Sequence, residues 1–309
     1  MSRREAGNVA KPPRATGLAS IAGYLLRRAQ QVHNALWSQM VVGDLTSPQY
    51  AVLAALASFP DIPQQQVAQL ASLDKSSAAD VVNRLVARSW ISRERDPDDG
   101  RRYVLTLTSA AAIALSAITP SVEEVQAALL RPLEAGRRRL LIQRLAAVAR
   151  VPARELRAEA ASDICTLDLG APGHLIRRAQ QVHTSLWGEL VGSLLTGPQF
   201  AVLYVVSRRP GINQTQLGEL AALDKSSTAD VVSRLMRREL LVRERDSSDG
   251  RGRMLYVPES TVAQLKQLAP AVRQVQNRLL EPLGEKVRSA FLADLAQVAF
   301  VGEPPSEAL

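Results

Sequence analysis

The sequence is poor in the residues that build disulfide frameworks and metal centres. Its 309 residues include one cysteine, Cys165, and three histidines, His33, His174 and His183. A single cysteine excludes an intrachain disulfide and any zinc site built from cysteines, and three histidines leave little material for a metal cluster. We therefore predict neither a metal nor a cofactor.

Long apolar runs are also missing. No stretch approaches the roughly 18 apolar residues that a transmembrane helix needs, so no membrane span is predicted. The basic start, MSRREAGNVAKPPRATG, is not followed by the apolar segment of a secretory signal. Together these absences favour a cytoplasmic protein.

Positive charge is in excess. The chain has 38 Lys and Arg against 30 Asp and Glu, a formal net charge of +8 and a pI of about 10.1. This balance favours an acidic partner, with nucleic acid first and an anionic membrane second. The length and the 46% hydrophobic content predict a globular chain of about two domains.

The chain repeats itself at an offset of 150 residues. The segment RRAQQVHNALW from Arg27 returns as RRAQQVHTSLW from Arg177, and LDKSSAADVVNRL returns as LDKSSTADVVSRL. Without a gap, 59 of 130 aligned positions are identical between residues 21–150 and 171–300. Solenoid repeats have periods of about 20–50 residues, so this longer period indicates two complete domains in tandem.

A tandem duplication can reproduce a homodimer within one chain. Homodimers place two copies of one surface about a two-fold axis, and a gapless repeat supplies both copies. We predict a disordered basic tail, a first domain, a linker, a second domain and a C-terminal tail, at residues 1–16, 17–150, 151–172, 173–302 and 303–309.

Each copy reads as helices interrupted by one hairpin. Apolar spacing and capping residues predict the helices, and an Asp-Gly between two strand-like runs predicts the hairpin. Pro120 is expected to kink or divide the fifth helix. In the first copy the predicted helices cover residues 25–42, 48–59, 64–71, 75–89, 109–130 and 133–149, and the hairpin strands meet at a turn over 96–100.

Short helices followed by a hairpin are the order of a winged helix-turn-helix. Together with LTSPQYAVL and LDKSS, the wing pattern Asp96-x-x-Asp99-x-Arg101 leading into Leu107-Thr108 resembles the MarR family of bacterial transcription regulators. The resemblance covers about 130 residues of each copy. It implies a mainly α fold with small β-wings, in which two winged helix-turn-helix domains and their dimerisation-type helices form an intramolecular pseudodimer.

Two departures from the family accompany this resemblance. Family members are usually homodimers of single-domain chains, whereas this chain is a fusion. The second copy reads RGRMLYVPES where the family has Leu-Thr, so the pattern defines its second wing strand and the start of the next helix less well.

The resemblance makes the helix after Asp74, and its counterpart after Asp224, the recognition helices. Their first turns are short and polar, which allows close approach to phosphates and bases. Asn83 is a candidate reader of adenine, and Asp80 accepts from cytosine, holds Arg84 or caps a neighbour. The predicted contact residues are Lys75, Ser76, Ser77, Asp80, Asn83 and Arg84, with Lys225, Ser226, Ser227, Asp230, Ser233 and Arg234.

The wings are arginine-rich. An arginine on a hairpin tip can enter a narrow minor groove, where the negative potential is enhanced. The alternative is an exposed, salt-bridged hairpin without a role in binding. The predicted wing contacts are Arg95, Arg101, Arg102, Arg245, Arg251 and Arg253.

A second repeated cluster lies on the first helix of each copy. Histidine and tryptophan four residues apart share a helix face. MarR-like proteins often take an aromatic acid or a phenol between their dimerisation helices and DNA-binding lobe, and such a ligand needs an aromatic wall, a hydrogen bond and a cation. The alternative is that these residues pack the pseudodimer interface. The candidates are Arg28, His33, Trp37 and Tyr50, with Arg178, His183 and Trp187.

These patterns predict a sequence-specific DNA-binding regulator. We expect it to bind an imperfect inverted repeat in double-stranded DNA as a monomeric chain, and to be a repressor relieved by a small aromatic ligand. The alternative is an architectural DNA-binding protein without a dedicated ligand. An enzyme is not predicted, because the sequence has no phosphate-binding loop, nucleophile elbow or metal-spaced set.

Overall fold

The computed structural model describes residues 17–96, 103–152, 168–245 and 253–300. We call the parts before and after the linker the first and second halves. After a 3-10 turn at Gly17–Ser20, the first half contains α1 (Ala22–Met40), α2 (Ser47–Ser58), β1 (Ile62–Pro63), α3 (Gln64–Leu70), α4 (Lys75–Ala87), β2 (Ile91–Arg95), β3 (Tyr103–Leu107), α5 (Ser109–Leu130) and α6 (Ala135–Val148).

The second half repeats this order. Its elements are α7 (Pro172–Leu190), α8 (Gly197–Arg208), β4 (Ile212–Asn213), α9 (Gln214–Ala221), α10 (Lys225–Arg237), β5 (Val242–Arg245), β6 (Arg253–Tyr256), α11 (Glu259–Leu279) and α12 (Glu285–Ala299). The mainly helical fold with two winged helix-turn-helix domains is therefore confirmed. The predicted tails and most of the predicted linker lie outside the described residues, and the domain boundaries stay predictions.

Side chains at the predicted caps begin the helices of the winged domains. Thr46 Oγ1 accepts from the backbone N–H of Gln49, and the Gln49 side chain accepts from that of Thr46 at 2.9 Å. Thr196 and Gln199 form the same capping box in the second half. Such a cap contributes about 1 kcal/mol, and both halves keep it although the first helical residue differs, Ser47 in α2 and Gly197 in α8.

Each wing is a hairpin extended by a short third strand. In the first half the strand order is β1-β3-β2, with Ile91 opposite Leu107 and Ile62 opposite Leu105. The second half has the equivalent order β4-β6-β5. The hairpins were predicted from sequence, and β6 is present although its sequence departs from the family pattern. The two-residue strands β1 and β4 were not predicted, because two residues carry no periodicity.

One hydrophobic core runs through helices of both halves. Leu25 of α1 and Leu145 of α6 belong to the same buried cluster as Ile176 of α7 and Phe291 of α12. Helix α1 contacts α7 and α12, and α6 contacts the same two helices. Because apolar burial is worth about 25 cal/mol per Å², this shared core holds the two halves together.

Helix α5 differs from its prediction in two respects. It runs unbroken through Pro120, so the expected division is wrong and the alternative of a kink stays a prediction; the proline lies on the exposed side of the helix. By length and mean hydropathy, 1.2, α5 also passes the test for a membrane span that the sequence was predicted to fail. One third of that stretch is buried, and its buried residues, Leu115 and Val125 among them, pack in the cores beside α1 and α2.

Candidate functional site

The recognition helices α4 and α10 present exposed first turns tied to their own caps. Ser77 donates to Asp74 from its backbone N–H at 2.9 Å and from its hydroxyl at 2.6 Å. In α10 the hydroxyls of Ser226 and Ser227 donate to Asp224 at 2.7 and 2.6 Å. These hydroxyls must turn away from the cap before they can donate to a phosphate.

The same hydrogen bonds keep both cap carboxylates ionised. Donation from Ser77 lowers the pKa of Asp74, and donation from Ser227 and Ser226 lowers the pKa of Asp224. A negative charge therefore stands at the start of each recognition helix. Lys75 and Lys225, both exposed, are the cations that flank it and that can offset its repulsion of a phosphate.

The next turn of each recognition helix carries an ion pair within the helix. Asp80 pairs with Arg84 at 2.9 Å, and Asp230 pairs with Arg234 at 2.9 Å. The pairing of Asp80 with Arg84 was one of the predicted roles of Asp80, and its contact with cytosine stays a prediction. Both members of each pair are exposed, so the pairs contribute little to stability and remain open to DNA.

The link from wing to recognition helix differs between the halves. In the first half Arg93 Nη2 donates to Asn83 Oδ1 at 2.8 Å. The equivalent position in the second half is Ser233, and Arg243 Nη2 instead donates to Gln214 Oε1 at 3.0 Å. One of the two acceptor positions of Asn83 Oδ1 is therefore occupied by the wing, and the second remains.

Three of the six predicted wing arginines lie in the described strands and are exposed: Arg95, Arg245 and Arg253. The wing tips, with Arg101, Arg102 and Arg251, lie outside the described residues.

A cleft of about 760 Å³ opens beside the first wing, between α3, the start of α4 and β3, and is lined by Gln64, Gln69, Lys75 and Tyr103 among others.

The repeated histidines lie where the halves meet. His33 is 1% exposed, and Gln126 of α5 donates from Nε2 to its Nε2 at 3.2 Å. Gln126 Oε1 accepts from the backbone N–H of Gly173 in α7 at 2.9 Å. A Cβ on Gly173 would stand 2.2 Å from His33 Nε2, so the absent side chain makes room for the imidazole of the other half.

The second site repeats the histidine–glycine contact, but Gln276 Nε2 there is buried without a hydrogen bond within the described residues. A Cβ on Gly23 of α1 would stand 2.1 Å from His183 Nε2. Gln276, the counterpart of Gln126, accepts from the backbone N–H of Ala22 at 2.8 Å. Each half therefore places its histidine on the first turn of the other half's first α-helix: His33 on α7 and His183 on α1.

Aromatic side chains extend both sites. The ring centroid of Trp37 lies 5.9 Å from that of His33 and 5.5 Å from that of Tyr50. In the second half Trp187 lies 5.7 Å from His183 and 5.5 Å from Phe200. Each indole N–H donates to a backbone carbonyl, of Leu45 or Leu195, at 2.6 Å. The tryptophans are therefore fixed in place and present ring faces rather than free donors.

The cation at each site is not the predicted one. Arg177 of α7 approaches the first site, where its Nη1 donates to Ser47 Oγ at 3.4 Å, and Arg27 of α1 approaches the second, near Gly197. Burial lowers the pKa of each to about 10. Within the described residues, neither has an acidic partner, and the Nε atom of each is buried without a hydrogen bond. We call His33, Trp37, Tyr50, Gln126 and Arg177 the first cluster, and His183, Trp187, Phe200, Gln276 and Arg27 the second.

Arg28 and Arg178, the arginines chosen from sequence, point elsewhere. Arg28 donates to the carbonyls of Ala299 and Glu219 and lies over the Phe300 ring, 4.5 Å from its centroid. Arg178 donates to the Ala149 carbonyl. Two adjacent arginines occur at the same position of both copies, Arg27-Arg28 and Arg177-Arg178. To choose the first arginine of each pair from sequence, one must know that each cluster is completed by a residue of the other half.

The buried histidines are neutral. Burial and the nearby charge of Arg177 lower the pKa of His33 to about 4. Burial and Arg27 lower the pKa of His183, also to about 4. A neutral imidazole leaves each arginine as the one cation of its cluster.

Contacts between halves also reach the helix-turn-helix units. His174 of α7 lies 3.2 Å, Nε2 to Oγ, from Ser72 in the turn between α3 and α4. Arg28 of α1 donates to the Glu219 carbonyl of α9 at 3.1 Å. Each long helix at the interface therefore touches the DNA-binding unit of the opposite half.

Gly173→Ala is expected to destabilise the protein by about 1–3 kcal/mol, because the new methyl group overlaps the His33 ring and the core must shift. Urea unfolding measures the change. Gly188→Ala in the same helix is the matched control: its Cβ meets nothing within 4 Å, and alanine stabilises a helix interior by about 0.5–1 kcal/mol. His33→Ala should relieve part of the Gly173→Ala loss; additive losses would contradict the contact.

Comparison with known proteins gives the same family for both halves. A family model described as the MarR family matches residues 43–102 and 195–252. Transcriptional regulator HosA of Escherichia coli O111:H- is 35% identical over 126 residues, 41% of this chain and 93% of HosA. HTH-type transcriptional repressor NicR of Pseudomonas putida is 32% identical over 117 residues, 38% of this chain and 74% of NicR.

A solved structure is similar over one half of the chain. The PcaV transcriptional regulator from Streptomyces coelicolor, crystallised in complex with its natural ligand, is 38% identical, with a TM-score of 0.42. The match covers 44% of this chain and 97% of PcaV. The family model that matches twice, and relatives whose length corresponds to one half, agree with the 150-residue repeat. The chain therefore belongs to the MarR family of DNA-binding transcription regulators, with two family domains in one polypeptide.

Proposed function

We propose that the chain is a cytoplasmic repressor that binds an imperfect inverted repeat and is released from it by a small aromatic acid. Its relative NicR is a transcriptional repressor, which supports the direction of regulation. The two recognition helices, alike in their first turns and different at Asn83 and Ser233, support two similar half-sites centred about 10–10.5 bp apart.

The observation that carries the ligand proposal is the pair of interface arginines. Arg177 and Arg27 hold positive charge at buried sites where the described residues supply no carboxylate. A guanidinium favours the planar, two-oxygen geometry of a carboxylate. Trp37 with Tyr50, and Trp187 with Phe200, supply the aromatic faces that a ring attached to that carboxylate needs.

A ligand at these clusters has a direct route to the recognition helices. Arg177 holds α7 to Ser47 at the start of α2, and α2 packs on α3 and α4. A carboxylate that draws Arg177 away from Ser47 loosens α7 from the first DNA-binding unit. This changes the spacing of the two recognition helices, α4 and α10. Typical coupling of about 1–3 kcal/mol weakens DNA binding about 5- to 150-fold.

The test is a footprint on the DNA flanking the protein's own gene, at fixed salt, with a panel of aromatic acids and phenols. We expect one protected inverted repeat and release by at least one aromatic acid. The double variant Arg27→Gln/Arg177→Gln should bind the operator no more tightly than the original chain, because the Arg177 contact with Ser47 is lost. It should need about 10- to 100-fold more ligand for release, since a charged hydrogen bond contributes about 1.5–3 kcal/mol. Arg139→Gln, at an exposed arginine of α6, is the matched control.

Each outcome separates the parts of the proposal. Protection without release by any compound would leave the repressor and remove the ligand. Release that is unchanged in the double variant would place the ligand elsewhere. Equal binding to any duplex would instead favour an architectural DNA-binding protein.

A further inference from the structure

A buried carboxylate joins the last helices of the two halves. Asp294 of α12 is 3% exposed. Its Oδ2 accepts from Arg144 Nη1 of α6 at 2.9 Å, and its Oδ1 accepts from Arg137 Nε of α6 at 2.8 Å and also from Arg137 Nη2. Asp294 is thus paired twice, by arginines that both belong to the other half.

Arg144 and Asp294 occupy the same position of the repeat. The offset of 150 residues carries position 144 onto 294, so the residue at this position meets its own counterpart across the interface. In a symmetric dimer such a position, close to the two-fold axis, must carry identical residues. Here one copy is a cation and the other is an anion. Position 137, in turn, corresponds to Val287 rather than to a second arginine.

Pairing of like halves would leave these charges uncompensated. Two first halves would bring together two copies each of Arg137 and Arg144, and α6 has no acidic residue to offset them. Two second halves would bring two copies of Asp294 together without those arginines. A buried charge that loses its partner costs far more than an exposed one, so each like pairing is penalised by on the order of a hundredfold or more.

We propose that the face made by α6 and α12 is a pairing surface that accepts only the unlike half. The first half fits the second and rejects another first half; the second rejects another second half. Specificity of this kind combines an attractive contact with a repulsive alternative. The inference depends on the interface alone and stands apart from the proposed ligand and operator.

The experiment places a protease site in the linker at 153–167 of the full chain and cuts it after folding. Isotopically heavy and light cut proteins are mixed, and native mass spectrometry identifies the pairs that form by exchange. We expect first–second complexes of all isotope combinations. First–first and second–second complexes should each be less than about one hundredth as abundant. Like pairs in amounts comparable to unlike pairs would overturn the proposal.

The variant Arg144→Asp should reverse the preference of the first half. The carboxylate introduced at position 144 would meet Arg137 of another first half, whereas in the original pairing it would face Asp294. First–first complexes should therefore rise at least about tenfold. Arg139→Asp, an equal charge change on the exposed side of α6, should leave the distribution as it is. An unchanged distribution in Arg144→Asp would also overturn the proposal.

The uncut chain provides a second measurement if the cut halves unfold. Light scattering should show a monomer for the original chain and for Arg139→Asp. Arg144→Asp should form larger species as concentration rises, because first halves of different chains then pair. A strictly monomeric Arg144→Asp chain would contradict the pairing rule. A buried ion pair with a purely structural role predicts lost stability without any change of partner.

Discussion

Lowering the pH from 7 to 5 is expected to remove about 5 kcal/mol of stability and to make unfolding take up close to three protons. His33, His183 and His174 are buried and neutral in the folded chain, with pKa values lowered by burial to about 4, 4 and 3. In the unfolded chain each has a pKa of about 6.5. Between these values the unfolded chain binds more protons, so stability falls with falling pH.

The pH window follows from those values. Well above pH 6.5, from about pH 7.5, all three histidines are neutral in both states and contribute almost no pH dependence. Below it each contributes a slope approaching about 1.4 kcal/mol per pH unit, until the folded pKa is reached. The caps at Asp74 and Asp224, whose pKa values are lowered, lose their contribution only below about pH 4, so the two effects are separable.

Urea unfolding at pH 7, 6 and 5 measures this prediction. His174→Tyr introduces the residue found at the equivalent position of the first half, Tyr24, and should reduce the slope by about one third. An exposed site that does not titrate, Ser109→Ala, is the control. Equal stability at pH 7 and 5 would show that the histidines are not buried as described.

Loss of both first-turn lysines is expected to weaken operator binding about 100- to 10,000-fold. In Lys75→Ala/Lys225→Ala each recognition helix loses the exposed cation beside its capping aspartate, and each charged hydrogen bond to phosphate contributes about 1.5–3 kcal/mol. The slope of log K against log salt should fall by about 1.8, since each phosphate contact contributes about 0.9. Fluorescence anisotropy with operator duplex over a series of KCl concentrations measures both quantities.

Two comparisons give this experiment its specificity. Phosphate contacts do not read sequence, so random DNA should lose affinity in the same proportion as the operator. Asn83→Ala should weaken the operator alone, because a base contact is lost. Lys266→Ala, at an exposed lysine of α11, should change neither. An unaltered salt slope in the double variant would remove the two lysines from the DNA surface.

The sequence was enough for the architecture because the signals are local and appear twice. The caps at Thr46 and Asp74, the apolar spacing of α4 and the Asp-Gly between strands each act within a few residues, and the repeat tests every one of them again. The prediction failed where the rule that proline divides a helix was applied without its structural context. Pro120 lies inside α5, on its exposed side, and does not divide the helix.

The sites were harder to predict because they are assembled from both halves. The proximity of His33 and Trp37 was predictable, since four residues separate them on one helix. Their cation, Arg177, lies in the other half of the chain, and helix periodicity carries no information about the helix that packs opposite. The partners of Asp294 were missed for the same reason.

The different hydrogen bonds of the wings, Arg93 to Asn83 and Arg243 to Gln214, have a consequence for inheritance. In a homodimer one codon change alters both DNA readers, so its effect on binding free energy is doubled. In this fused gene a change at Asn83 or Ser233 alters a single reader, and its effect is counted once. Under the proposed binding to two half-sites, mutations that would abolish recognition by a homodimer become tolerable steps, and one half-site can evolve while the other is conserved.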